Sequence, residues 1–234
     1  MDKAKKITDS FKSDFTGNLS EVYLYGSAAR GEYISGRSDL NLLLVFERLD
    51  KETLKKLSAY QSKFAGKVSF ICLTIDYIDT SRDIFPIELL DIKLHHQVLL
   101  GEDRFTGIDF AGEHLRLQIE RELKAKLTLL RQGLIIHGFR EKALGDLMFQ
   151  HLPALSAIFQ GIIFLEDGKV PVKRAELYQK ISDKFTLQQD FMNELLRIAK
   201  KERFGSAIKT EDLFFNIIAL IEKLSGYIDN LEIK

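Results

Sequence analysis

The chain has 234 residues, of which 45% are hydrophobic and 29% charged, and these ordinary globular values argue against global disorder. Lys+Arg and Asp+Glu both number 34, so the formal net charge is zero and nucleic acid is disfavoured as a partner. The single cysteine, Cys72, excludes an intrachain disulfide and fits a reducing compartment.

The N-terminal segment, residues 1–15, lacks the continuous apolar core of a signal peptide. No stretch approaches the ~20 apolar residues that a membrane-spanning helix needs. We therefore expect a soluble, cytoplasmic protein that does not contact a membrane.

Taken in chain order, the first part of the sequence predicts helices and strands in alternation. The predicted helices cover residues 7–15, 28–30 and 51–64, and a further helix starts at Pro86. The predicted strands cover residues 22–25, 40–46 and 68–75. The last of these is apolar on both faces, which predicts a central strand covered by helices.

The segment 22–46 contains the residue pattern that points most directly to a function. Gly26 and Ser27 end a strand and open the predicted short helix, an arrangement that presents backbone N–H groups to an anion. Arg30 follows one helical turn later, within reach of a polyphosphate. Asp39 and Asn41 lie two apart on the next strand, so they share a face. Two acids there would hold Mg²⁺, but here one position is an amide.

These residues resemble the signature of the polymerase-beta-like nucleotidyltransferase superfamily. The signature is an apolar residue, Gly and Gly or Ser, then a spacer and an acid–apolar–acid–apolar run. This chain has it as 25–27 and 39–42, and its fuller form resembles small bacterial and archaeal nucleotidyltransferases and the aminoglycoside nucleotidyltransferases. The resemblance implies an α+β fold whose N-terminal domain is a small mixed sheet with flanking helices, ending in a strand near residues 98–100.

The resemblance also implies transfer of a nucleoside monophosphate from an NTP, ATP above all, to a hydroxyl acceptor. In that interpretation Gly26, Ser27 and Arg30 hold the triphosphate, Ser38 supports the loop, and Asp39 is the metal ligand. The acceptor is then an unidentified small molecule or a protein side chain.

The three carboxylate positions that hold the family's two Mg²⁺ ions map to Asp39, Asn41 and Ser69. Only one of them is an acid, which predicts weak Mg²⁺ binding and impaired catalysis. Glu88 and Asp91, one helical turn apart, are alternative suppliers of a carboxylate. The other interpretation is that they form salt bridges on a surface helix.

The second part of the chain predicts only helices. They cover residues 115–134, 143–165, 174–182, 187–200 and 212–231. Pro153 predicts a kink or a two-part helix within 143–165. We expect a nucleotidyltransferase-like domain over residues 1–108 and a helical bundle over 109–234, with the acceptor between them.

Two functional hypotheses stay open at this point. One is a working nucleotidyltransferase with a rearranged metal site, and the other is a non-catalytic nucleotide-binding or regulatory protein. A scaffold without a ligand is disfavoured because the phosphate-binding residues are all present. The oligomeric state is open too, with a homodimer as one alternative.

Overall fold

The computed structural model describes residues 2–33, 39–64, 67–200, 202, 205 and 207–233. The chain divides into two compact units, Met1–Phe110 and Ala111–Lys234. The first contains a β-sheet with flanking helices, and the described part of the second is helical. The predicted α+β fold class is confirmed.

The described part of the first unit contains a mixed sheet. Its strands are β1 (Leu19–Tyr25), β2 (Leu40–Phe46), β3 (Val68–Thr74) and β4 (His96–Leu100). The order across this four-stranded sheet is β3-β2-β1-β4. β1 pairs antiparallel with both β2 and β4, whereas β2 and β3 are parallel. The parallel pair requires a crossover connection, which the helix between β2 and β3 supplies.

Helices cover both faces of the sheet. They are α1 (Asp2–Asp14), α2 (Lys51–Phe64), α3 (Ile75–Thr80) and α4 (Pro86–Leu94). Phe11 of α1 and Leu57 of α2 belong to one apolar cluster with alternate sheet residues such as Leu42. Ile78 of α3 and Leu89 of α4 belong to the cluster on the opposite face. Because side chains alternate along a strand, each apolar strand supplies both clusters.

The position of β3 differs from the prediction. The strand lies at an edge of the sheet and not in its centre, since β4 joins the sheet beside β1 and the chain turns into α3 directly after β3. Ile71, in the middle of β3, is 44% exposed as a result. An apolar pattern reports which faces helices cover, but it does not report whether a neighbouring strand is present on both sides.

A buried polar network ties β1 to the segment after β4. The guanidinium of Arg104 donates to both carboxylate oxygens of Glu21, with the shortest contact, from Nη2, at 2.8 Å. The Tyr23 hydroxyl lies 2.7 Å from Glu21 Oε2 and 2.8 Å from the Glu102 carbonyl oxygen. Burial raises the pKa of Tyr23, and the neighbouring Glu21 adds to this effect. The network fixes β1 to the segment that follows β4.

The helices of the second unit follow the predicted periodicity. They are α5 (Gly112–His137), α6 (Glu141–His151), α7 (Leu155–Asp167), α8 (Arg174–Phe185), α9 (Gln189–Ala199) and α10 (Thr210–Asp229). α5 packs against α6, α7 and α10, and fully buried side chains such as Leu123 and Phe159 fill the space between these helices.

The predicted two-part helix around Pro153 is confirmed, because α6 ends at His151 and α7 begins at Leu155. No single described helix is long and apolar enough to cross a membrane. Only α6 and α7 taken together, with a bend of 48° at their break, pass that test of length and composition.

Candidate functional site

A row of polar residues crosses the sheet at one end of its strands. Tyr25 of β1 is paired in register with Asn41 of β2 on one side and with His96 of β4 on the other. Asn41 is in turn paired with Ser69 of β3. Paired residues of neighbouring strands point to the same face, so these four side chains form one line, which we call the polar row.

The polar row lies on the face that α3 and α4 cover, because Tyr25 packs against the cluster that contains Leu89. Ser69 is exposed, and Asn41 is partly buried. Asp39 is exposed and directly precedes β2, two residues before Asn41. The structure therefore brings Asn41 and Ser69, two of the three positions predicted to take the family's acids, together in register. The third, Asp39, lies at the same end of the sheet.

The chain leaves β1 through a tight turn over residues 26–30. Gly26 has a φ of +72°, and its carbonyl oxygen accepts from the N–H of Arg30 at 3.1 Å. The prediction of a short helix at 28–30 is wrong, since only this single helical turn forms. Gly31, with a φ of +75°, then takes the chain out of the helical conformation.

The 26–30 turn has the donors of a helix start. Among the described residues, no acceptor takes the N–H groups of Ser27, Ala28 or Ala29, which occupy the first positions after Gly26. Such first-turn N–H groups lack intrahelical partners by geometry and suit an anion. The Ser27 hydroxyl lies in the same turn. Ser38, predicted to support the loop, lies outside the described residues.

Gly26 and Asn41 approach each other closely. A Cβ atom built on Gly26 would lie 2.8 Å from the amide Nδ2 of Asn41. Position 26 therefore needs glycine for its positive φ and for this contact. The contact links the turn after β1 directly to the second of the family's acid positions.

Arg30 forms an ion pair with Asp91 of α4. The Arg30 side chain is 5% exposed and that of Asp91 26%, so the pair is largely removed from water. The charge of Asp91 also acts on Tyr25, since burial and this charge raise the pKa of Tyr25 to about 12. Two residues that the sequence suggested for separate tasks, phosphate binding and metal binding, thus neutralise each other beside the polar row. Glu88, one turn earlier on α4, is exposed.

The site offers few ligands for a metal ion. Across the described ranges, no group of three or more His, Cys, Asp and Glu side chains could hold a metal. At the three family positions the donors are one carboxylate, one amide and one hydroxyl, from Asp39, Asn41 and Ser69. These residues do not fit a site in which three carboxylates bind two Mg²⁺ ions.

Comparisons with known proteins identify the first unit. Residues 4–88 match the family model described as nucleotidyltransferase domain. This part of the chain is a nucleotidyltransferase domain. The match ends within α4, so it covers the 26–30 turn, Asp39, Asn41 and Ser69, and the polymerase-beta-like resemblance seen in the sequence is confirmed.

Solved structures extend the likeness in fold. The crystal structure of spectinomycin adenyltransferase AAD(9) from Enterococcus faecialis, with ATP and spectinomycin, aligns with a TM-score of 0.57. The alignment covers 98% of this chain and 99% of that chain at 15% identity, which shows a shared fold. The toxin-antitoxin pair MntA-HpeT, with a TM-score of 0.33 over 58% of this chain, is too dissimilar to support an argument. No curated protein sequence matches this chain.

Sequence reasoning missed two features of the nucleotidyltransferase domain. Tyr25 and His96 belong to the polar row, and only the register between strands reveals this. The partnership of Arg30 with Asp91 spans 61 residues, so no local spacing reveals it. The only signal in the sequence was that Arg30 and Asp91 carry opposite charges.

The contact between Gly26 and Asn41 leads to the first prediction. Gly26→Ala should destabilise the fold by about 1–2 kcal/mol through its positive φ and should also displace the Asn41 amide. Gly31→Ala is the matched control, because its φ is +75° but nothing lies within 4 Å of its Cβ position. Urea unfolding measures the stability. If the NMR chemical shifts of the Asn41 side-chain amide are the same in Gly26→Ala as in wild type, the contact is contradicted.

The ion pair leads to the second prediction. Arg30→Ala should lower the free energy of unfolding by roughly 3–5 kcal/mol, because it leaves Asp91 without its counter-charge. Arg82→Ala is the control, since Arg82 and Asp79 form an exposed pair at 2.6 Å that should contribute less than about 1 kcal/mol. Urea unfolding of both variants and of the Arg30→Ala, Asp91→Ala double variant gives the coupling energy. Equal losses for Arg30 and Arg82, without coupling, would refute the assignment.

Proposed function

We propose that the chain binds a nucleoside triphosphate, ATP first, at the 26–30 turn, and that it transfers the nucleoside monophosphate weakly or not at all. The pairing of Asn41 with Ser69 in register carries the second part of the proposal. Two positions that need carboxylates for transfer lie side by side, and both hold neutral side chains.

Nucleotide binding is supported by the domain type and by the donors of the turn. Residues 4–88 are a nucleotidyltransferase domain, and the structure of AAD(9), which shares the fold, contains ATP. Ser27, Ala28 and Ala29 supply N–H groups for phosphate oxygens, and Ser27 adds its hydroxyl. Gly26 has no side chain to obstruct the close approach of a phosphate.

Impaired transfer is supported by charge. Bound Mg²⁺ would neutralise the triphosphate and the attacking oxygen, and Asp39 is the carboxylate of the family set that remains to hold it. Mg²⁺ prefers anionic oxygen ligands, so Asn41 and Ser69 are poor replacements. The loss of one electrostatic contributor to a transition state commonly lowers the rate by roughly 10²-fold or more.

The chain's own residues can still bind and orient the nucleotide. The 26–30 turn fixes the phosphates relative to the sheet, and the ion pair with Asp91 holds Arg30 in that turn. Tyr25 is protonated at neutral pH, as an ordinary tyrosine is, and it can donate a hydrogen bond beside Asn41. Because the Arg30–Asp91 pair is neutral overall and Asn41 and Ser69 are uncharged, this end of the sheet carries little negative charge beyond Asp39 to oppose a polyphosphate.

A working nucleotidyltransferase is the second candidate function, with a small hydroxyl compound or a protein side chain as acceptor. The observation that supports it is the ion pair of Asp91 with Arg30, because it brings a carboxylate to the 26–30 turn. In that case Asp91, or the exposed Glu88 one turn earlier, replaces a missing acid. The ion pair with Arg30 weighs against Asp91, because it already uses that charge.

Calorimetric titration with ATP, with and without Mg²⁺, tests nucleotide binding. We expect ATP to bind in both conditions, and Asp39→Ala to remove only the added affinity that Mg²⁺ confers. Asp9→Ala on α1, an exposed acid on the other face of the sheet, is the control and should bind as wild type. If wild type binds no ATP in either condition, the proposal fails.

Restoration of the acids tests the explanation of weak transfer. Asn41→Asp combined with Ser69→Glu should raise turnover of labelled ATP by at least about 10-fold, because it returns two carboxylates to the metal site. Asn41→Asp combined with Ser69→Ala returns only one carboxylate and should give a smaller gain in turnover. ATP binding without any gain in turnover would show that charge at these positions does not limit transfer.

A further inference from the structure

β3, at the edge of the sheet, lacks the residues that usually keep an edge strand from pairing with another strand. Its sequence, VSFICLT over Val68–Thr74, contains no charged residue and no proline. Its pairing with β2 continues without a register shift from Val68 to Thr74. Among the described residues no further strand pairs with it. A regular, uncharged edge exposes a row of backbone donors and acceptors that can pair with another strand.

The opposite edge of the sheet, formed by β4, has two features that protect it against pairing with another strand. β4 has only five residues, and its pairing with β1 shifts register between Val22 and Tyr23. Short length and irregular pairing are devices that keep sheet edges from associating. β3 lacks both of these devices, and Ile71 at its centre is 44% exposed.

We infer that β3 pairs antiparallel with β3 of a second copy of this chain, so that two four-stranded sheets join edge to edge. In that assembly β3 becomes a central strand, which is the position that its apolar pattern predicts. The inference concerns assembly and does not depend on nucleotide binding.

The geometry of β3 suits a two-fold axis. Opposed residues of an antiparallel pair point to the same face, and an axis perpendicular to the sheet preserves each face. An axis at Ile71, the middle of the seven residues of β3, meets this condition and sets each residue of the strand opposite one of the second copy. Backbone pairing is available along the middle of the strand, since at its ends the Val68 carbonyl oxygen accepts from Gln61 Nε2 at 3.1 Å and Thr74 caps α3. Val68 then opposes Thr74, Ser69 opposes Leu73, and the exposed Ile71 side chains of the two copies meet at the axis.

Charge at the two ends of β3 complements this arrangement. Lys67 directly precedes the strand, Asp76 follows it within α3, and both are exposed. In the register centred on Ile71, the end of β3 that Lys67 precedes lies beside the end of the second copy's β3, where α3 begins and carries Asp76. The two-fold axis creates this opposite-charge contact twice, whereas a parallel pairing would bring like ends together. A second copy of this chain therefore fits the edge in shape and in charge.

The proposed contact borders the candidate site. Ser69 lies on β3 and belongs to the polar row, and its neighbour in the assembly is Leu73 of the second copy. An apolar side chain would thus cover the exposed flank of Ser69. We expect assembly to reduce water access to that end of the polar row.

Light scattering after size exclusion tests the assembly on the full chain. Wild type should have twice the mass of one chain, and Ile71→Lys should raise the dimer dissociation constant roughly 100-fold by placing unpaired charges at the axis. Val98→Lys is the matched control, because Val98 is the middle residue of β4 and is 38% exposed. It should leave the dimer intact. Circular dichroism confirms that both variants fold.

Cross-linking tests the register. Ile71→Cys in a Cys72→Ala background should give a disulfide-linked dimer on mild oxidation, since Cα atoms opposed across an antiparallel pair are ~4.5–5.5 Å apart. Val98→Cys in the same background should remain unlinked. Lys67→Glu should weaken the dimer by roughly 10-fold, and addition of Asp76→Lys should restore it, because the charges are exchanged.

Three results would overturn the inference. The first is a wild-type chain that remains monomeric up to roughly 0.1 mM, where an edge contact of this kind should be populated. The second is a dimer that Ile71→Lys leaves intact, which would place the contact elsewhere. The third is a dimer lacking the Ile71→Cys cross-link while the charge exchange has no effect. Pairing of β3 with a different protein would appear as the first result.

Discussion

The close approach of Gly26 to Asn41 is the constraint on which the candidate site depends. Because Gly26 takes a φ of +72° directly after β1, the chain turns over the start of β2 and not away from the sheet. The N–H groups of the 26–30 turn and the polar row consequently share one end of the sheet. A side chain at position 26 would separate these two parts. The fold therefore brings the N–H groups of this turn and the positions predicted to take the family's acids together through a single residue.

The charges around this turn leave few anionic ligands for a metal ion. Arg30 and Asp91 neutralise each other in a partly buried pair that fastens the turn to α4. Such a pair adds little net stability, because desolvation opposes the Coulomb gain, but it fixes the geometry of its two segments. With Asn41 and Ser69 neutral, Asp39 is the one carboxylate left at the three family positions. The site therefore opposes a polyphosphate far less than a three-acid site without metal would.

Much of this fold could be predicted from the sequence, because apolar periodicity and Gly-Ser punctuation are local signals. These signals predict β1, β2, α2 and the two-part helix at Pro153. The spacing of Gly26 to Asp39 predicts the nucleotidyltransferase domain. The rest depends on contacts between distant segments. The edge position of β3 follows from where β4 pairs, and the partnership of Arg30 with Asp91 follows from the placement of α4. Local patterns carry no information on either.

The substitutions that count against transfer also favour simple binding under the proposed function. Three carboxylates beside an anion-binding turn repel a triphosphate unless Mg²⁺ screens them, so an acid-rich site couples nucleotide affinity to metal. An amide at Asn41 and a hydroxyl at Ser69 remove that repulsion and can accept or donate hydrogen bonds. The Tyr25 hydroxyl is a further neutral donor in the same row. Under the proposed function, these two neutral residues thus weaken catalysis and also lessen the dependence of nucleotide binding on metal.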